Sequence, residues 1–294
     1  VDQADKLRNI IKANQVAQQN TARVITVTSG KGGVGKSNVA INLAVQFKNA
    51  GKRVIIFDAD FGLANIEVMF GAIPKHSLAD LIYQGASIRD VITWGPMGIG
   101  FISGGSGIAG MGNLSRDHLD YLIRNLSELD TMSDVIIIDT AAGISEAVLE
   151  FLVASREILL VTTPEPTSIT DSYSLLKALN LHSKFNKVET KVKVITNKVE
   201  TTEEGKQLYS KLSAVVNRYL KLQMEFLGVV PYDNALVKAV MQQSPVSISN
   251  PQTKAAKAFT DIADTLMDIP HTETVYRRGM SGFFANILAG RKYS

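Results

Sequence analysis

Residues 29–37 read SGKGGVGKS and follow directly on the apolar, β-branched run VITVT at 24–28. Gly30, Gly35, Lys36 and Ser37 meet the spacing GxxxxGK[ST], which makes the segment a phosphate-binding loop between a strand and a helix. Gly32, Gly33 and Gly35 let the backbone turn tightly, with positive φ where the turn demands it, so that successive N–H groups converge on an anion. Lys36 supplies a cation for the β and γ phosphates, and Ser37 a hydroxyl for Mg2+. The run from Val39 to Phe47 reads as a helix whose N-terminal dipole also faces the anion. Candidate nucleotide contacts therefore run from Gly30 through Lys31 and Val34 to Asn38. Lys31 is the sharper clue, because the general pattern requires no second lysine inside the loop.

The 294-residue chain is 45% hydrophobic and 20% charged, ordinary for a globular protein able to bury a sizeable core. It contains no cysteine, which excludes disulfides, thiolate catalysis and Cys-ligated clusters. Its histidines, His76, His118, His182 and His271, are too scattered for a zinc site, so the implied metal is nucleotide-bound Mg2+. A net charge of +3 is too mild to argue for nucleic acid. No apolar run reaches membrane-spanning length, and the opening VDQADKLRNI lacks the basic-then-apolar layout of a signal peptide, so the expected location is cytoplasmic.

From Arg23 onward short apolar runs alternate with helical segments, the pattern of an α/β fold with a mostly parallel, doubly wound sheet and helices on both faces. Strands are predicted at VITVT (24), RVIIFD (53), IGFIS (99), DVIIID (134), EILLVTT (157), KVKVIT (191) and FLGVVP (226). Helices are predicted near 37–50, 76–84, 115–130, 145–154, 167–184, 203–221, 233–243 and 251–268. Residues 23–270 form a single P-loop NTPase domain, preceded by a helix and polar linker over 1–22 and followed by a terminal segment over 271–294. GGSGIAGMG at 104–112 contains a formal GxGxxG. It is not the first strand-helix turn, and no acidic residue ends a following strand at the ribose-binding distance, so it reads as a surface loop.

Three acidic residues, Asp58, Asp60 and Asp139, stand at the carboxyl ends of predicted strands, the edge where open α/β sheets bind ligands. A carboxylate there can hold Mg2+ directly or through water, and another can orient an attacking water. Gly143, in DTAAG, permits backbone approach to a γ-phosphate or a change of loop conformation on its loss. TNKVE at 196–200 is similar to the guanine-reading NKxD pattern, but Glu200 occupies the Asp position.

Taken together, SGKGGVGKS, FDADFGLAN at 57–65, IDTAAG at 138–143, TTPEP at 162–166 and TNK at 196–198 resemble the deviant Walker A ATPases of the MinD and ParA class, over the whole domain. The resemblance implies a slow, partner-dependent ATP hydrolase, binding ATP or ADP with Mg2+, in which two ATP-bound subunits face each other. Lys31 would reach across to the partner's nucleotide, Lys36 would hold the phosphates, and Asp60 would position the water. Ser37, Asp58 and Asp139 would organise the metal. Asn65 would contribute at the nucleotide or dimer face, and Asn197 would read adenine beside Pro231, Tyr232 and Asp233, which favours ATP over GTP.

Both ends of the chain narrow the resemblance. DQADKLR at 2–8 is similar to the DQAxxLR motif of the FlhG-type (FleN/YlxH) branch, whose members control flagellar number and placement. That likeness implies stimulation of the SRP-type GTPase FlhF through Asp2, Gln3, Leu7 and Arg8, with Gln3 as the key polar residue, and contact with a flagellar switch-ring component. At the other end Met280, Phe283, Phe284, Ile287 and Leu288 form one apolar stripe at helical spacing, flanked by Arg277, Arg278, Arg291 and Lys292. The stripe suits a helix bound reversibly to the anionic inner face of the cell membrane, or a helix packed on the domain. Alternatives within the class are a MinD-type division-site ATPase and a ParA-type DNA-segregation ATPase. The apolar stripe argues for membrane over DNA.

Overall fold

The computed structural model describes residues 21–60, 65–104, 116–268 and 279–288. Its strands are β1 (Arg23–Thr28), β2 (Val54–Ala59), β3 (Thr93–Trp94), β4 (Gly100–Ser103), β5 (Val135–Thr140), β6 (Glu157–Thr162), β7 (Lys191–Val199) and β8 (Met224–Pro231). They form one sheet in the order β3-β4-β2-β5-β1-β6-β7-β8. Every pairing is parallel except that of β3 with β4. β1 lies between β5 and β6, and the chain turns from it toward β2 on the β5 side before later filling the β6 side. That reversal opens a crevice at the carboxyl end of β1, where the phosphate loop sits.

Strands such as β2 and β5 are buried at every position because helices cover both faces, which is why they read as continuous apolar runs. Side chains alternate between the two layers. Ile25, Val27, Ile56 and Ile137 pack on one side with the helix Lys36–Asn49 and the helix Lys254–Met267, whereas Ile55, Phe57, Ile136 and Ile138 pack on the other. At the amino ends of β1, β6 and β7, Glu157 accepts from Arg23 at 2.7 and 2.8 Å and from Lys193 at 2.7 Å. Burial pushes the Glu157 carboxyl up, but Arg23 and Lys193 outweigh it and hold the group below the usual range.

The seven predicted strands are present. The two-residue β3 escaped the sequence reading because so short an edge strand has no periodicity, and the helices Asn65–Phe70, Ile88–Val91 and Val246–Ser249 escaped it for the same reason. Asp2, Gln3, Leu7 and Arg8, expected to contact the GTPase, and the glycine-rich loop at 105–110 lie outside the described residues.

The terminal stripe is docked. In the helix Gly279–Leu288, Met280, Phe283, Phe284 and Ile287 are buried among Phe57, Ile136 and Phe151. The Phe284 ring lies 5.6 Å from Phe57 and 6.2 Å from Phe151, centroid to centroid, in edge-on contacts. Leu288 falls outside the described side chains. The helix therefore packs into the core of the domain in this conformation. Asp130, on a neighbouring short helix, supplies its N-terminal cap by accepting from Met280 N at 2.7 Å. Gly279 is required there twice over: its φ is +59°, and a Cβ would lie 2.3 Å from the Asp130 carboxylate.

Phe284→Ala should lower folding stability by about 3 kcal/mol through the cavity it leaves between Phe57 and Phe151. The urea midpoint reads this directly, and an unchanged midpoint would show that the helix is undocked in solution.

Candidate functional site

The loop after β1 is a short turn with left-handed backbone at Gly33 (φ 77°) and Gly35 (φ 92°), a region that excludes most side chains. Gly32 has open space around it, so its glycine is not demanded by contact. Gly30 is demanded, because a Cβ there would come within 2.2 Å of the Asp171 backbone in the helix Pro166–Leu181. Gly143 N–H donates to Ser29 O at 2.9 Å, tying the predicted switch loop to the base of the phosphate loop. Gly143 itself holds φ 92°.

Lys36, the first residue of the helix, is buried, and its Nζ donates to Asp139 Oδ1 at 2.6 Å and to Ser37 Oγ at 3.5 Å. Asp139 is the register partner of Val27 on one side and of Asp58 on the other, so two carboxylates sit side by side on adjacent strands. Asp58 accepts from Asp60 N at 3.1 Å and Ile66 N at 3.3 Å. Burial, and then the neighbouring Asp139, push the Asp58 carboxyl up to about 7. Burial also raises Asp139, against the opposing pull of Lys36. Asp139 Oδ2 is buried without a hydrogen-bond partner. Two carboxylates share one close ammonium here, and an oxygen donor is left open beside Ser37. This donor set fits Mg2+, which takes oxygen ligands and supplies the missing positive charge. Asp60, half-buried, accepts from Asn65 Nδ2 at 3.4 Å. The two are thus brought together beyond the end of β2.

Lys31 lies at the exposed rim, where its Nζ donates to Glu165 Oε2 at 2.6 Å and Thr167 Oγ1 at 2.7 Å. Both partners belong to the same subunit, at the start of the helix Pro166–Leu181. Glu165 lies within TTPEP, a motif that by itself points to no role for it. Lys31 holds the Glu165 carboxyl below its ordinary range.

The residues expected on the base side make hydrogen bonds within the chain. Asn197 is buried, with Nδ2 donating to Val34 O at 2.7 Å and Oδ1 accepting from Lys198 N at 2.9 Å. Both of its polar ends are therefore engaged within the chain. Asp233 spends its carboxylate on two helix starts, accepting from Ala235 N at 2.8 Å and Ala255 N at 3.1 Å. Tyr232 is exposed beside it and Pro231 ends β8. Asn38, in the first helical turn, uses its carbonyl to accept from Asn42 Nδ2 at 2.8 Å. Lys198, which the sequence reading passed over, donates from Nζ to Gly33 O at 2.8 Å. Its place in TNK was the available signal.

Among the described residues no helix is long and apolar enough to cross a membrane. Residues 20–267 match the ParA family, described as "NUBPL iron-transfer P-loop NTPase". The chain has no cysteine to ligate an iron cluster. It is 41% identical to the antiactivator FleN of Pseudomonas aeruginosa, over 87% of this chain and 90% of that protein. It is 31% identical to the flagellum site-determining protein YlxH of Helicobacter pylori, over 98% of each. Its fold matches that of the septum site-determining protein MinD complexed with Mg-ADP from Pyrococcus horikoshii, with TM-score 0.65 and 22% identity over 84% of this chain and 96% of that one.

The raised Asp58 has a consequence for stability. Its folded value of about 7 lies above the ordinary aspartate value of 3.8. Between the two, the folded chain holds a proton that the unfolded chain has released, so stability falls as pH rises through that window. In the nucleotide-free, metal-free chain the slope from this group is about 1.4 kcal/mol per pH unit between about pH 4 and 7. Asp58→Asn should flatten it in urea titrations across that range. Parallel profiles for the two proteins would refute the assignment.

Proposed function

The chain belongs to the ParA family of P-loop NTPases, within the MinD/ParA class of deviant Walker A ATPases, and from that premise we propose that it is an ATP-switched regulator of flagellar number and placement. It binds ATP and ADP with Mg2+ and hydrolyses ATP. The observation that carries the regulatory reading is the pairing of a complete phosphate loop, with Lys31 at its exposed rim, with extensive likeness to FleN and YlxH.

Lys36 holds the phosphates, Ser37, Asp58 and Asp139 hold Mg2+, and Asp60 orients the attacking water. When ATP is bound, Lys31 leaves Glu165 and Thr167 and reaches the nucleotide of a second copy, so that the dimer forms only where two loaded sites meet. The docked stripe of Met280, Phe283, Phe284 and Ile287 is the membrane anchor in its stored state. Undocked in the dimer, two short helices bind an anionic surface more tightly than one by avidity. The protein is then peripheral, on the inner face of the membrane, and there meets a flagellar switch-ring component. Its N-terminal motif, with Gln3 at the centre, stimulates the GTPase FlhF.

ATP should raise both the dimer fraction in analytical ultracentrifugation and co-sedimentation with vesicles containing phosphatidylglycerol. Lys31→Ala should abolish both, and Glu165→Gln should lower the ATP concentration at which each appears. Equal vesicle binding with and without ATP would remove the switch. Separately, a peptide of residues 1–20 should accelerate GTP hydrolysis by FlhF, and the Gln3→Ala peptide should not. Equal activity of the two peptides would remove Gln3 from the role.

A further inference from the structure

We propose that Asn197 and Lys198 are positioning residues that set the phosphate cradle from outside, by fixing the direction of two of its backbone amides. Asn197 pairs with Val230 and Val199 with Pro231, so Lys198 is the extra residue of a bulge in β7. Lys198 has φ 57°, a left-handed conformation that lysine rarely adopts. A bulge turns one side chain away from the alternation of its strand. This one sends the Lys198 ammonium to Gly33 O, 2.8 Å away, while Asn197 reaches Val34 O at 2.7 Å. The two residues are coupled, since the Lys198 amide donates to Asn197 Oδ1 at 2.9 Å.

The approach is close enough to constrain the loop's own sequence. A Cβ at residue 35 would lie 2.4 Å from Asn197 Nδ2, so only glycine admits the contact. The effect on the cradle follows from peptide geometry. The chain has no cis peptide bond among the described residues, and in a planar trans peptide the carbonyl and the following N–H point in opposite directions. Holding Gly33 O outward on Lys198 therefore turns the Val34 N–H inward, and holding Val34 O on Asn197 does the same for the Gly35 N–H. Donors fixed in this way before an anion arrives avoid the ordering cost on binding.

On this assignment TNK acts on the phosphates, whereas a base-reading role would act on the purine. The two are separated by a ligand that has phosphates and no base. Binding of ATP, GTP and inorganic tripolyphosphate, each with Mg2+, is measured by calorimetry on the full chain. Lys198→Gly admits the left-handed turn and removes the side chain with its ammonium. It should weaken tripolyphosphate and ATP by the same factor, about tenfold, the size expected for losing one charge-assisted hydrogen bond, and leave the ATP-to-GTP ratio unchanged. Lys198→Arg should restore most of the affinity. A merely electrostatic loss is separated by amide exchange in the nucleotide-free chain, where Lys198→Gly should speed exchange at Val34 and Gly35. Unchanged exchange at both amides overturns the proposal. So does unchanged tripolyphosphate binding with a shifted ATP-to-GTP ratio, which would return Asn197 and Lys198 to the base.

Discussion

The ion pair between Lys36 and Asp139, 2.6 Å long and buried, ties the first turn of the helix Lys36–Asn49 to the end of β5. Removing one partner of such a pair leaves an uncompensated charge in a dry site, at a cost of about 3–5 kcal/mol. The pair also links the two ligands of the site. A phosphate that takes Lys36 leaves Asp139 without its cation, beside a second raised carboxylate on Asp58. Phosphate and divalent cation are then needed together, and neither alone balances the charge.

The carboxylate row connects that pair to the rest of the domain. Phe57 immediately precedes Asp58 on β2, and Phe151 lies on the helix Glu146–Ala154 that follows the Asp139–Gly143 loop. Both rings face Phe284 of the terminal helix, so this helix rests on the strand that carries Asp58 and on the helix that follows the Asp139–Gly143 segment. Its polar latch is Asp130, whose carboxyl burial pushes up and whose oxygens cap the helix start. A change in the loop at Asp139–Gly143 has a short mechanical route to the apolar stripe, through one strand and one helix. Elsewhere around the phosphate loop, Glu165 and Thr167 at the start of the helix Pro166–Leu181 hold its Lys31, and Asn197 and Lys198 of β7 hold its backbone.

Much of this was legible in the chain itself. Parallel strands buried on both faces must be apolar throughout, so VITVT and DVIIID announce themselves without alternation. The phosphate loop is a local object, set by glycines at fixed spacing and by one lysine and one hydroxyl. Asp58, Asp60 and Asp139 could be assigned to one edge because every strand of a parallel sheet delivers its carboxyl end to the same side. Lys198 and Glu165 were harder to see. Their roles depend on a bulge and on a contact between residues 134 positions apart, neither of which leaves a pattern in composition or period.

The strands, the phosphate loop and the edge where the carboxylates gather can be read from the chain alone, because each follows from short-range periodicity or from the parallel topology it implies. The long-range partners emerge only once the chain is folded. Asn197 is committed to Val34, Asp233 caps two helices, Lys31 pairs within its own subunit, and the terminal stripe is folded onto Phe57 and Phe151. The physical reason is the same in each case. A side chain's chemistry states which kinds of partner satisfy it, and an apolar stripe states that a face must be covered, but which partner or surface does so depends on what the fold brings within reach.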